Sequence, residues 1–289
     1  MQTKIQKIKS PLNYIGNKSA LLPQILPLFP QNIDLFIDMF CGGCVVGLNV
    51  KANRVVFNDN LTYLIDMYKQ FKELGYEPVL DHINKRINEF GLSQANSDGY
   101  CQLRDLYNTE RHPLDLFVLC CYSFNHQIRF NNDHELNISF GKNRSSYNKS
   151  IKRNLETFIE AIQKDNIMFS NLDFNDLKLD NLNENDFVYA DAPYLIGFGT
   201  YNEKRGFKAW TEKEETQLLM LLDKLHSKKI KFGLSNLLEH KGLKNEILDE
   251  WVKRNNYKVN HLDYNYSKKT NYQTKNADKE TVEVLIINY

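Results

Sequence analysis

The chain has 289 residues, 42% of them hydrophobic and 12% aromatic, which is enough apolar material for a packed core and excludes a disordered chain. Its 37 lysines and arginines balance 36 aspartates and glutamates, so the bulk charge points to no polyanionic partner and any basic surface must be local. No apolar run nears the ~20 residues that span a bilayer, and five cysteines with no leader pattern lead us to expect a reduced, cytoplasmic protein, monomeric or weakly dimeric.

In chain order, residues 1–30 form a short arm holding Gly16-Asn17-Lys18 and three prolines. Leu35 to Phe40 is an apolar run that stops at Gly42-Gly43, the pattern of a buried strand entering a loop. Arg54 to Phe57 predicts a second strand ending at Asn58-Asp59, and Leu61 to Leu74 carries apolar residues at helical spacing. Residues 75 to about 165 are polar, aromatic and helical, with one hairpin expected near 128–141. Phe187 to Ala190 predicts a strand that ends at Asp191-Ala192-Pro193-Tyr194. A helix (212–225), a strand (230–234), a helix (245–254) and a final strand (282–287) follow. This is the layout of an α/β fold with a Rossmann-like core sheet made from both ends of the chain. The expected division is a catalytic unit from 1–60 and 165–289, with 61–164 inserted as a mainly helical unit carrying the hairpin.

Two places carry chemistry. In an open α/β sheet, ligands bind beyond the carboxyl ends of the strands. Asp38, Gly42 and Gly43 sit at the end of the first strand, and Asp59 follows about 20 positions on, where an acid can hold a ribose diol. No G-x-G-x-x-G is present, which disfavours a dinucleotide. Gly42-Gly43 is also compatible with a plain turn. Cys41 and Cys44 have the spacing of zinc ligands, but no second pair completes four, so no metal is expected.

The second place is Asp191 to Tyr194. An exocyclic purine amine is a poor nucleophile because its lone pair is delocalised into the ring. The Asp191 carboxylate and the carbonyl of Ala192 supply two acceptors for its N–H groups, Pro193 fixes the turn, and Tyr194 offers a stacking face. The same tetrapeptide is compatible with an ordinary turn.

Taken together and in order, these segments resemble the Dam-type, alpha-class DNA adenine-N6 methyltransferases, most of all the bacteriophage branch. Asn13-Tyr14-Ile15-Gly16-Asn17-Lys18 is similar to the family's N-terminal cofactor motif, and Phe36 to Gly43, with Asp38 and Phe40, to its Asp-x-Phe-x-Gly-Gly motif. Asn58-Asp59 resembles the ribose-holding acidic position, Asp173-Phe174 the pair near the cofactor adenine, and Gly233-Leu234-Ser235-Asn236 a later core motif. Phe187 to Tyr194 resembles the catalytic Asp-Pro-Pro-Tyr and its strand. The resemblance implies S-adenosylmethionine as methyl donor, with Tyr14, Lys18, Asp38, Phe40, Gly42, Gly43, Asp59, Asp173 and Phe174 around it. It implies methylation of a flipped adenine in double-stranded DNA, in the sequence GATC, as part of DNA methylation or restriction-modification.

DNA contacts are expected from residues 142–153, where Lys142, Arg144, Lys149, Lys152 and Arg153 stand without an acid. A solvated helix start has the same composition. The resemblance adds a base-reading hairpin from Phe124 to Lys142: Phe124 as a wedge, Arg129 as the guanine reader, and Asn131 and Ser139 nearby, Ser139 replacing a common proline. Lys18 is expected to neutralise a carboxylate or touch DNA, and Trp210 and Trp251 to pack. Ala192 departs from the family's second proline. It keeps its carbonyl, and standing before Pro193 it stays biased to extended backbone; weakened activity is expected. A non-catalytic DNA-binding homologue, and an N-methyltransferase acting on RNA or protein, are the competing readings.

Overall fold

A computed structural model describes residues 7–196, 210–263 and 281–289 of the chain. After a short helix α1 (Leu22–Ile25) come the strands β1 (Leu35–Asp38) and β2 (Arg54–Asn58). Helices α2 (Thr62–Leu74), α3 (Tyr76–Glu89), α4 (Ser97–Glu110), α5 (Pro113–Tyr122) and α6 (Lys149–Ile162) separate β2 from β3 (Ile167–Ser170). Then follow β4 (Phe187–Ala190), α7 (Glu212–Ser227), β5 (Lys231–His240), the two-residue β6 (Leu243–Lys244), α8 (Glu246–Asn255), β7 (Lys258–Leu262) and β8 (Thr281–Ile287).

The sheet runs β3-β2-β1-β4-β5-β8-β7, with β6 paired to β5. β1 to β5 are mutually parallel, and β8 lies antiparallel between β5 and β7. Strands buried on both faces need apolar side chains in both directions. Phe36, Val55, Phe57, Phe187, Tyr189 and Leu285 enter one hydrophobic cluster; Ile37, Val188, Ala190, Phe232, Leu234 and Ile286 enter the other. α7 and α8 cover the second face through Leu218, Leu222, Leu248 and Trp251.

The residues between β2 and β3 cover the first face. Tyr68 and Phe71 of α2, Phe117 of α5 and Phe158 of α6 belong to the same cluster as Phe36 and Phe57. The helices of 61–164 and the sheet therefore share one continuous core. The order in which strands are added reverses between β1 and β4, which opens a crevice at their carboxyl ends.

The hairpin expected near 128–141 forms without strands. Two isolated antiparallel bridges, Ser123–Phe140 and Phe130–Leu136, close it. The Asn131 side chain accepts the N–H groups of Asp133 and Glu135, and Asn125, His126 and His134 take positive φ. These local bonds and left-handed residues replace a regular ladder. Four anchors hold the loop: Tyr63 stacked on Phe130 at 4.6 Å, Tyr100 donating to the Ile138 carbonyl, Asn108 bonded to Leu136 in both directions, and Arg111 donating to the His134 carbonyl.

Candidate active site

The loop after β1 is tied to its neighbours by backbone and side chain. Cys41 N–H donates to the Asn58 carbonyl at 2.7 Å, and the Asn58 amide donates to the carbonyls of Met39 and Leu172. Asp59 accepts from the Gly42 and Leu61 N–H groups, each at 3.0 Å, and Tyr68 donates its hydroxyl to the Gly42 carbonyl at 2.8 Å. Gly42 has φ +44°, and a Cβ there would meet the Tyr14 ring at 2.7 Å, so glycine is required both by the backbone and by the contact. Asp59 Oδ2 thus braces the glycine loop, while Oδ1 holds the turn into α2. Cys41 and Cys44 are buried thiols of the same loop.

Asp38 is buried and accepts from Gly47 N–H at 3.3 Å. Burial, and then the charge of Asp191, pushes its carboxyl up to about 8. Asp191 follows β4 across the crevice. The N-terminal arm brings Lys18 to it: Asn17 caps the short helix Lys18–Ala20 by accepting from Ser19 N–H, and the buried Lys18 ammonium pairs with Asp191 Oδ1 at 2.8 Å. Tyr194 donates its hydroxyl toward the same Oδ1 at 3.2 Å and lies with its ring 5.1 Å from Lys18 Nζ. Among the described residues both bonds to Asp191 fall on Oδ1, which leaves Oδ2 to accept from a ligand. Burial raises the Asp191 carboxyl, Lys18 pulls it back, and Glu283 pushes it up again.

Ala192 is buried in the second core cluster, and Pro193 is exposed. Phe40, Phe174 and Trp210 form an aromatic triangle with centroids 5.5, 5.6 and 5.7 Å apart. Asp173 caps the turn that carries Phe174 by accepting from Asn175 N–H at 3.0 Å. Trp210, read from sequence as packing, is held by its indole N–H donating to Glu215 at 2.7 Å; Asn236 and Asn245 donate to the other Glu215 oxygen. Trp251 donates to Asp223 and packs on Phe232 and Tyr257.

The proposed DNA residues lie elsewhere, on the hairpin and the start of α6. Phe124 is 42% exposed and the Arg144 guanidinium sits 5.1 Å over its ring. Arg129 is turned into the hairpin, donating to the Asn137 side chain at 2.9 Å and to its carbonyl at 2.7 Å. Asn131 shapes the turn, and the exposed Ser139 accepts Phe124 N–H through its carbonyl. Lys142, Arg144, Lys149, Lys152 and Arg153 are all exposed, and none forms an ion pair among the described residues. The arm and the hairpin touch: Asn13 donates to the Asn125 carbonyl at 2.8 Å.

His82, His112 and Asp115 bring ligand atoms within 4.8 Å of one another. Arg86 already donates to both Asp115 oxygens, at 2.9 and 3.0 Å, so this cluster ties α3 to α5.

Sequence reasoning missed three members of the crevice: Asn58's bridging side chain, Trp210 and Glu283. Glu283 had a readable signal, a lone acid inside the apolar run of β8.

Residues 14–273 match the D12 class N6 adenine-specific DNA methyltransferases. The chain is 47% identical to the type II methyltransferase M.FokI of Planomicrobium okeanokoites and 45% identical to the modification methylase StsI of Streptococcus sanguinis, each over 98% of this chain. It spans 43% of the length of each. The DNA N-6-adenine-methyltransferase of Escherichia phage P1 is 26% identical over 81% of the chain and 31% of the phage protein. The expected closeness to phage enzymes gives way to greater similarity with modification methylases. With a Rossmann-like sheet, a crevice at its switch point and this match across most of its length, the chain belongs to the D12 class N6 adenine-specific DNA methyltransferase family.

Proposed function

We propose that this chain methylates N6 of an adenine turned out of duplex DNA, with S-adenosylmethionine as donor. The observation that carries the reading is Asp191 at the end of β4, facing Asp38 across the switch point, with Oδ2 open and Oδ1 held by Lys18.

The residues fit the donor. Gly42 allows close approach of the backbone, Asp38 and Asp191 welcome a positively charged ligand, and the Phe40–Phe174–Trp210 triangle gives an adenine an apolar face. When bound, S-adenosylmethionine supplies an electrophilic methyl on a sulfonium. Tyr14, Lys18 and Asp59 act by shaping this site, and Asp173 by placing Phe174.

Asp191 Oδ2 and the carbonyl of Ala192 accept the two N6–H groups, which draws the amine lone pair out of conjugation. Transfer leaves N6 with a surplus proton and positive charge; Asp191 stabilises the charge and accepts the proton. Tyr194 stacks on the base once its hydroxyl leaves Asp191 Oδ1, while Oδ2 takes the amine. Ala192 is compatible with this chemistry because the carbonyl, not the ring, is the acceptor.

Lys142, Arg144, Lys149, Lys152 and Arg153 hold phosphates, and Phe124 with Arg144 above it is a platform for a disturbed stack. The sequence GATC rests on the likeness of Arg129 to a guanine-reading arginine. For that contact the guanidinium must leave Asn137. The greater similarity to modification methylases favours a role in protecting DNA from a partner nuclease.

The test is transfer of labelled methyl to duplexes with and without GATC, with the product base identified and its position mapped. N6-methyladenine establishes the reaction, and its position establishes the sequence; no label in a protein that binds both cofactor and DNA overturns the enzymatic reading.

A further inference from the structure

Glu283 stands on β8 and is 3% exposed at its side chain, yet it faces the reacting group across the sheet edge. Its Oε1 lies 3.7 Å from Lys18 Nζ and 3.3 Å from the Tyr194 hydroxyl. These are the two groups that also hold Asp191 Oδ1, at 2.8 and 3.2 Å. The buried Glu283 and the half-buried Asp191 carboxylates therefore share one ammonium and one phenol. We infer that Glu283 is a positioning residue for the transfer, holding Lys18 and Tyr194 between itself and Asp191 so that the Asp191 carboxylate stays aimed while its Oδ2 is left for the base amine.

The physical reason lies in what each partner would do alone. A lysine facing a single carboxylate is free to swing its ammonium between the two oxygens. A second acid on the opposite side draws the ammonium off centre and anchors it on Oδ1. It also offers the Tyr194 hydroxyl another acceptor. When the Tyr194 hydroxyl leaves Asp191 Oδ1, Glu283 Oε1 already lies within 3.3 Å to accept its proton, so the ring can settle over the base. The charged and titratable groups facing this pair among the described residues are Lys18 from the arm, Asp38 at the end of β1, Tyr189 from β4 and Tyr194 after it.

This inference rests on the methyltransferase reading, and the experiment separates the two. The full chain is compared with Glu283→Gln, which keeps the shape and removes the charge, and with Glu283→Asp, which keeps the charge. For Glu283→Gln, kcat falls roughly tenfold or more while S-adenosylhomocysteine binding changes less than about threefold. The acid limb of the kcat profile moves to lower pH, because a negative charge that raises Asp191 is gone, and Glu283→Asp returns it. A second readout needs no turnover. Lys18→Met removes an ammonium shared by two carboxylates in the native chain but facing only one in the Glu283→Gln background, so its melting penalty is smaller there by more than about 2 °C. An unmoved acid limb with an unchanged kcat, or an equal penalty in both backgrounds, overturns the role of Glu283. Absence of transfer by the unsubstituted chain overturns the enzymatic reading, and the melting comparison then decides the carboxylate pair by itself.

Discussion

The crevice at the sheet edge and the hairpin at 124–142 are built on opposite plans. In the crevice Asp38, Asp59, Lys18 and Glu283 are buried, bound to backbone or to one another, and fixed by strands that pair on both sides. In the hairpin Arg129 is bonded, among the described residues, only to its own loop, Phe124 is exposed, and two bridges replace a ladder. A reacting group gains from being held before its substrate arrives. A reading group has to leave its resting partner to meet a base, so weak local bonds suit it better. The difference teaches where each kind of substitution will register.

The largest effect is expected inside the crevice. Asp191→Ala removes transfer by about 10³-fold or more, with S-adenosylhomocysteine binding changed only a few-fold, as equilibrium binding and a labelled-methyl assay will show. Retained turnover would break the contrast at its strongest point. Arg129→Ala is expected to lower kcat/KM on the cognate duplex by roughly 10- to 100-fold and to relax the choice at one base pair, read by methylation of a panel of single-substituted duplexes.

A third prediction concerns Asp38. Its folded carboxyl titrates at about 8 against 3.8 for an ordinary aspartate, so folding favours the protonated form. The stability this group confers is full below pH 3.8 and is lost as pH rises to about 8. The cofactor-free chain therefore loses melting temperature across that window, and Asp38→Asn flattens the loss. The smallest effect belongs to the basic surface. Lys152→Ala weakens duplex binding equally for all sequences and reduces the slope of log affinity against log salt by about 1, measured by titration at several salt concentrations.

Legibility follows the same divide. β1, β2, β4 and the end of the chain announced themselves because strands covered on both faces must be apolar throughout, as Phe187 to Ala190 is. β3 and β7 went unread because they lie at the two ends of the sheet, where Met168, Lys258 and His261 face solvent and break the pattern. Asp38, Gly42 and Asp191 were readable as acids and glycines at strand ends. Glu283 was not assigned to the site because its partners Lys18 and Tyr194 are far away in sequence and only the placing of β8 beside β5 brings it there. In the hairpin the basic residues were legible from composition, but the inward turn of Arg129 depends on Asn137 eight residues on, a pairing that no spacing rule supplies.

The unbroken hydrophobic core has a consequence for exchange of parts between relatives. Tyr68, Phe71, Phe117 and Phe158 pack with Phe36 and Phe57, so cutting at the ends of 61–164 would tear the first face off the sheet. The loop from Phe124 to Lys142 enters that same core at three points, through the buried side chains of Phe130, Leu136 and Ile138, and its other ties are polar. A chimera that takes a relative's loop but keeps these three core residues would inherit the donor's choice of DNA sequence while keeping the recipient's melting behaviour; one that also exchanges them would lose melting temperature.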